Sequence, residues 1–191
     1  PRPQRGIGFS RPEPRRGDDL VEVVEISLGE AYMGTNRVLE ITDGFGKEYQ
    51  LEVDIPPGVE EGHRIRVPGE GEAGRDGGPP GDLFLEVRIL PHPAFRRCGD
   101  DLHVRVFVRL TTMVLGGRVT IALPDGPVVL DLPGAVTDGQ VICVKGKGMP
   151  SAAAADMRGD LYVEVHAEIP RQLSKEQASL FRKLAELEGD T

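Results

Sequence analysis

The sequence predicts an all-β protein: two tandem copies of one small β unit followed by a short C-terminal helix. Three observations predict it. The stretch "IPPGVEEGHRIRVPGEG" (55–71) returns as "LPGAVTDGQVICVKGKG" (132–148), at an offset of 77. Two flanking blocks return as well: "GDDLVEVVEISLGEAYMG" (17–34) as "GDDLHVRVFVRLTTMVLG" (99–116), and "GDLFLEV" (81–87) as "GDLYVEV" (159–165). Between these blocks run short, β-branched, alternating segments bounded by Gly, Pro or Asp, with no βαβ rhythm. Three blocks repeated in one order, with offsets that change only between blocks, are two copies of one unit with loops of different length.

Taken in order, residues 1–17 mix Pro, Gly and Arg with Ile7 and Phe9 as their large apolar residues. Such a segment buries too little to offset its ordering entropy and is expected to be a disordered linker. The first β domain is expected over 18–92, with strands at "DLVEVVEISL", "RVLEIT", "YQLEVDI", "HRIRV" and "DLFLEVRIL". One helical turn is expected at "LGEAYMG", and the glycine-rich "GEGEAGRDGGPPGD" reads as a long mobile hairpin loop. "ILPHPAFRRCGDD" joins the copies, with Pro91 and Pro93 stiffening the link. The second β domain is expected over 93–172, with its helical turn at "TTMVLGG".

A helix is expected within 173–191. Ser174 and Gln177 have capping-box spacing, Leu180, Phe181, Leu184 and Leu187 fall on one face, and Gly189 stops it. That face either packs on its own domain or docks on another chain. The second reading is preferred, because the helix follows a complete β unit and is too short to stand alone in water.

Composition removes several function classes. A net charge of -8 disfavours a non-specific nucleic-acid binder, although five arginines lie in residues 1–16. No apolar run approaches the roughly 18 residues of a membrane helix. The chain starts at Pro1 without Met and is expected to be a piece of a longer protein. Cys98 and Cys143 are too few for a zinc site or a disulfide framework, and Cys143 reads as a small core residue. The four histidines lack metal-ligand spacing, no G-x-S-x-G elbow is present, and the glycine-rich stretch lacks the Gly-Lys-Ser/Thr of a phosphate loop. No enzyme activity, metal or cofactor is expected.

With its blocks laid out, the chain resembles the C-terminal substrate-binding region of J-domain co-chaperones, the DnaJ family. The residues that carry the resemblance are the two "GDDL" starts, "DIPPGVEEGHRIRVPGEG", "GDLFLEVRILPHPAFRR", "LPGAVTDGQVICVKGKGMP" and "RGDLYVEVHAEIPRQLS", together about residues 18–188. Where many relatives insert a zinc module, this chain has only "DGFGKE" after "NRVLEIT", so it resembles the zinc-free class or the curved-DNA-binding branch.

The resemblance implies two tandem, duplicated β-sandwich-like domains in a cytoplasmic homodimer, joined through Leu180, Phe181, Leu184 and Leu187, that holds unfolded client polypeptides and delivers them to a DnaK-type ATPase chaperone. It implies a peptide groove in the first domain lined by Val24, Arg37, Leu39, Ile41 and Leu85, with Glu22 at the rim in place of an apolar residue. Arg37, with Lys47, could also receive an acidic tail of the partner chaperone. The alternative within the family is a curved-DNA-binding, nucleoid-associated protein, which the acidic charge disfavours.

Overall fold

The computed structural model describes residues 13–42, 48–152, 154 and 157–189. The expected linker residues 1–12, the turn at 43–47 with Lys47, and residues 190–191 lie outside them. The chain divides into two compact units: unit 1 comprises 1–93 with 148–159, and unit 2 comprises 94–147 with 160–191. A contiguous division at 92/93 misses the return of 148–159 to unit 1. That return has a packing cause. Met149 is buried, and Arg158 lies over the Tyr32 ring, 5.0 Å from its centroid, donating to its hydroxyl at 2.5 Å. Gly58, at φ +82°, leaves room for the hairpin, since a Cβ there would stand 2.4 Å from the Pro150 carbonyl oxygen.

Unit 1 holds β1 (Leu20–Ile26), α1 (Leu28–Met33), β2 (Thr35–Thr42), β3 (Glu48–Ile55), β4 (Arg64–Val67) and β5 (Leu83–Ile89). One sheet has the order β1-β5-β4, with β1 parallel to β5, and β2 and β3 form a separate antiparallel ribbon. β1 ends at Ile26, so Leu28, expected to continue that strand, instead opens α1. Ser27 stops the strand because its hydroxyl caps the helix and Glu30 reaches back to its N–H.

Unit 2 repeats this plan. It holds β6 (Phe95–Cys98), β7 (Asp101–Arg109), α2 (Leu110–Leu115), β8 (Gly117–Leu123), β9 (Gly126–Leu132), β10 (Gln140–Val144), β11 (Leu161–Glu168) and α3 (Lys175–Glu188). Its sheet order is β10-β11-β7-β6, beside the ribbon β8-β9.

The duplication extends to register. Leu20 pairs with Leu83 as Leu102 pairs with Leu161; Val67 pairs with Leu83 as Val144 pairs with Leu161. Thr35 pairs with Ile55 as Gly117 pairs with Leu132. The Gly-Asp motifs hold these registers. Asp82 N–H donates to Asp19 at 2.7 Å and Asp160 N–H donates to Asp101 at 2.7 Å, tying the starts of each parallel pair. The two side chains then accept N–H groups from Gly69 and Gly146, both at 2.9 Å, closing the preceding turn. The Gly69 N–H and the Arg66 guanidinium hold the Asp82 carboxyl below its ordinary range, as Lys145 and the Gly146 N–H do for Asp160.

Three expectations are corrected. The stretch 69–82 is a clasp rather than a mobile loop. Arg15 exchanges backbone hydrogen bonds with Arg75, Gly17 N–H donates to Pro79, and Glu72 N–H donates to Asp18. Its many glycines permit backbone-to-backbone approach: a Cβ on Gly17 would lie 1.8 Å from the Glu72 carbonyl oxygen. Residues 15–17, expected to belong to the free linker, are held in that clasp. Cys143 is exposed rather than a core residue, because β10 is an edge strand and Cys143 falls on its solvent side beside Lys145 and Asp160.

Candidate functional site

The backbone of β1 supplies the first half of the site. Leu20 N–H donates to Asp82 and Leu90 N–H donates to Ile26, so the even-numbered residues of β1 direct their backbone polar groups at β5. Alternation turns those of Val21, Val23 and Glu25 to the opposite edge, where no described residue pairs with them. In unit 2 the equivalent edge of β7 is occupied. There β6 runs antiparallel to it, pairing Phe95 with Val104, Arg96 with His103 and Arg97 with Leu102.

A local sequence difference accounts for the contrast. Before the second "GDDL" stands "FRRC", which folds back through a tight turn at Gly99. Before the first stands "EPRR", in which Pro14 has no N–H to donate and Arg15 is engaged by the clasp.

The inward face of unit 1 supplies the second half. Across the sheet run the rows Leu20–Leu83–Val67 and Glu22–Leu85–Ile65; across the ribbon run Arg37–Val53, Leu39–Leu51 and Ile41–Tyr49. The five residues expected to line the groove therefore fall on inward faces of β1, β5 and β2. They are not equally accessible. Val24, Ile41 and Leu85 are 7%, 3% and 1% exposed and belong to the core, whereas Leu39 and Arg37 are half-buried. Of the five, only Leu39 and Arg37, both on β2, keep partly exposed side chains, and an open trough lined by all five is not present.

Arg37 is already engaged. Its Nη2 donates to Glu30 Oε1 at 2.6 Å, and its buried Nε has no hydrogen-bond partner among the described residues. Glu30 also accepts the Ser27 N–H at 2.7 Å; that bond, with the Ser27 hydroxyl and Arg37, keeps its carboxyl below the ordinary range against some desolvation. A ligand carboxylate at Arg37 would compete with this internal pair.

Glu22, named from the resemblance as a rim residue, is exposed although it stands on the inward face. Val21 and Val23, 55% and 53% exposed, were missed by a reading confined to side-chain pattern; their contribution is backbone. The available signal was the prolines that replace a strand before the first "GDDL".

Among the described residues no group of three or more His, Cys, Asp or Glu could hold a metal ion, and no helix is long and apolar enough to cross a membrane. At the C-terminus, α3 carries the expected box: Gln177 N–H donates to the Ser174 hydroxyl at 3.1 Å and the Gln177 side chain accepts the Ser174 N–H. None of its residues is buried. Leu180, Leu184 and Leu187 are 65%, 47% and 85% exposed, with Phe181 half-buried.

The profile of the DnaJ C terminal domain matches residues 11–170. Chaperone protein DnaJ 2 of Thermus thermophilus is 44% identical over 179 residues, covering 94% of this chain and 60% of that protein. The Chaperone protein DnaJ of Acetivibrio thermocellus is 38% identical over 173 residues, covering 89% of this chain and 44% of its own length. That of Rhodospirillum centenum is 46% identical over 138 residues, 72% of this chain and 36% of that protein. The chain thus spans 60% or less of the length of these relatives, all of them named chaperones. Its repeated registers, its Gly-Asp ties and a match over most of its length agree: the chain belongs to the DnaJ C-terminal domain family.

Proposed function

We propose that this chain is the client-holding part of a cytoplasmic DnaJ-type co-chaperone. It binds non-native polypeptide as an added strand on the open edge of β1, suppresses its aggregation, and delivers it to a DnaK-type ATPase chaperone. The observation that carries the reading is the edge of Val21, Val23 and Glu25 in unit 1, with which no described residue pairs, set against its duplicate in unit 2, which β6 fills. An extended segment on that edge gains main-chain hydrogen bonds that do not depend on sequence, and alternate side chains enter beside Leu39. Unfolded chains offer exactly those two handles in common: unpaired backbone and apolar side chains. The role involves no bond-making step, in keeping with relatives that are named chaperones.

Affinity is set low by the balance of terms. Two or three client side chains contribute roughly 1.5–3 kcal/mol each, and ordering the segment opposes this by about 2–5 kcal/mol. Binding of about micromolar strength or weaker per edge remains. The exposed stripe of α3 supports homodimerisation, which doubles the edges and lets one long client engage both through effective concentration.

Light scattering of a chemically denatured model protein, with and without the chain, tests the reading. The wild type suppresses aggregation, and Leu39→Asp or Val23→Pro, folded by circular dichroism, does not. Full suppression by both folded variants rejects the edge as the client site. Truncation after Pro170 leaves a monomer by sedimentation; a persistent dimer rejects the role of α3.

A further inference from the structure

Glu22 breaks the composition of the row it belongs to. Its neighbours on the inward face of β1 are Leu20, Val24 and Ile26, and its duplicate in unit 2 is Val104, only 6% exposed. In unit 2 the full row reads Phe95–Val104–Val163–Ile142; in unit 1 it reads Glu22–Leu85–Ile65, and the place corresponding to Phe95 is open. β6 thus displays, inside the same chain, how a strand sits on such an edge. It runs antiparallel, with Phe95 inward beside Val104 and Arg97 inward beside Leu102; the Arg97 side chain is 13% exposed, with its Nε donating to Gly99 O at 2.7 Å.

A strand seated likewise on β1 has one inward side chain opposite Glu22 and the next, two residues on, diagonal to it. Both lie within reach of a long side chain. Glu22 has no ion-pair partner among the described residues, and the incoming strand takes water away from it. A carboxylate that loses water without gaining a partner is destabilised; one that gains a Lys or Arg is not.

We propose that Glu22 selects client segments by charge: segments whose inward side chains pair an apolar or aromatic residue with Lys or Arg two positions away bind β1 in preference to their acidic counterparts. The inference rests on the open-edge reading above and adds to it a specificity residue peculiar to the first copy, where the second has Val104.

Three labelled decapeptides, identical except for Arg, Gln or Glu two residues after a single Phe, test it by fluorescence anisotropy with the full chain. The Arg peptide binds about fivefold more tightly than the Glu peptide, the size expected of a partly exposed charge contact, and the ratio shrinks as salt is raised. Glu22→Val brings the ratio near one while the Gln peptide binds at least as well, and Glu22→Lys inverts it. A ratio unchanged in both variants overturns the charge selection while leaving the edge site standing. Failure of all three peptides, the neutral one included, to bind the wild type overturns the edge site itself and the selection with it.

Discussion

Units 1 and 2 share strand register to the residue, yet they differ at one edge. In unit 2, β6 covers the start of β7; in unit 1, no described residue pairs with the equivalent edge of β1, and the segment before it is clasped elsewhere by 71–81. The open unit is also the one with extra internal bracing. Ser27 and Glu30 form a capping box tied to Arg37, where α2 starts at Arg109 with no side-chain cap. An edge that presents unpaired backbone is a hazard for association, and proteins usually cover it. Under the proposed role, one copy keeps the covered, structural form and the other uses the same edge for binding.

The largest expected effects fall where the two units are alike. Leu85→Asp and its equivalent Val163→Asp each bury a lone carboxylate in a core position and lower stability by about 4 kcal/mol or more, read from denaturant unfolding. Loss of client binding in either variant would therefore report unfolding rather than a damaged site.

Proline at matched positions separates the units most sharply. His103→Pro removes an N–H directed at β6, inside a central strand, and costs about 2–3 kcal/mol of stability without a direct effect on client affinity. Val21→Pro removes the matching N–H from an open edge, costs about 1 kcal/mol, and lowers peptide affinity at least tenfold. Equal behaviour of the two variants would erase the distinction drawn here.

A smaller contrast sits at the turn shared by both copies. Gly58 and Ala135 are equivalent, and both have positive φ, +82° and +61°. Gly58→Ala brings a Cβ against Pro150 and destabilises the 148–159 hairpin by about 1–3 kcal/mol, visible as faster amide exchange there. Ala135→Gly relieves a left-handed alanine and changes stability by less than about 1 kcal/mol.

The smallest effect is common to the two units and concerns pH. Glu30, Asp82 and Asp160 have folded-state pKa values below their ordinary ones. They stabilise the fold above the unfolded carboxylate range, and that contribution is lost as pH falls from roughly 4. Thermal melts across acidic pH show a falling midpoint, with a shallower fall in Asp82→Asn and Asp160→Asn.

The duplication, most strands, the turn glycines and the caps of α3 were legible in the sequence because they are local: alternation, spacing and special backbone angles leave their mark on neighbouring residues. So was the family, since "GDDL" and "GDL" recur as the two ends of a tie between strands. β6 was not, since "FRRC" read as part of the joint between the copies and became a strand only by pairing with β7. What the sequence could not separate was floor from rim. Val24, Leu39, Ile41 and Leu85 share inward faces, and pattern alone does not distinguish a half-buried leucine from a core one.

The sequence by itself determined that one β unit is duplicated, where most of its strands lie and which residues alternate along them, because repeat and period follow from side-chain chemistry along the chain. Only the tertiary structure decided which strand edge is left unpaired and that 148–159 returns to unit 1. Those outcomes depend on contacts between segments far apart in the chain, such as Arg15 with Arg75 and Tyr32 with Arg158, whose energies no local pattern records.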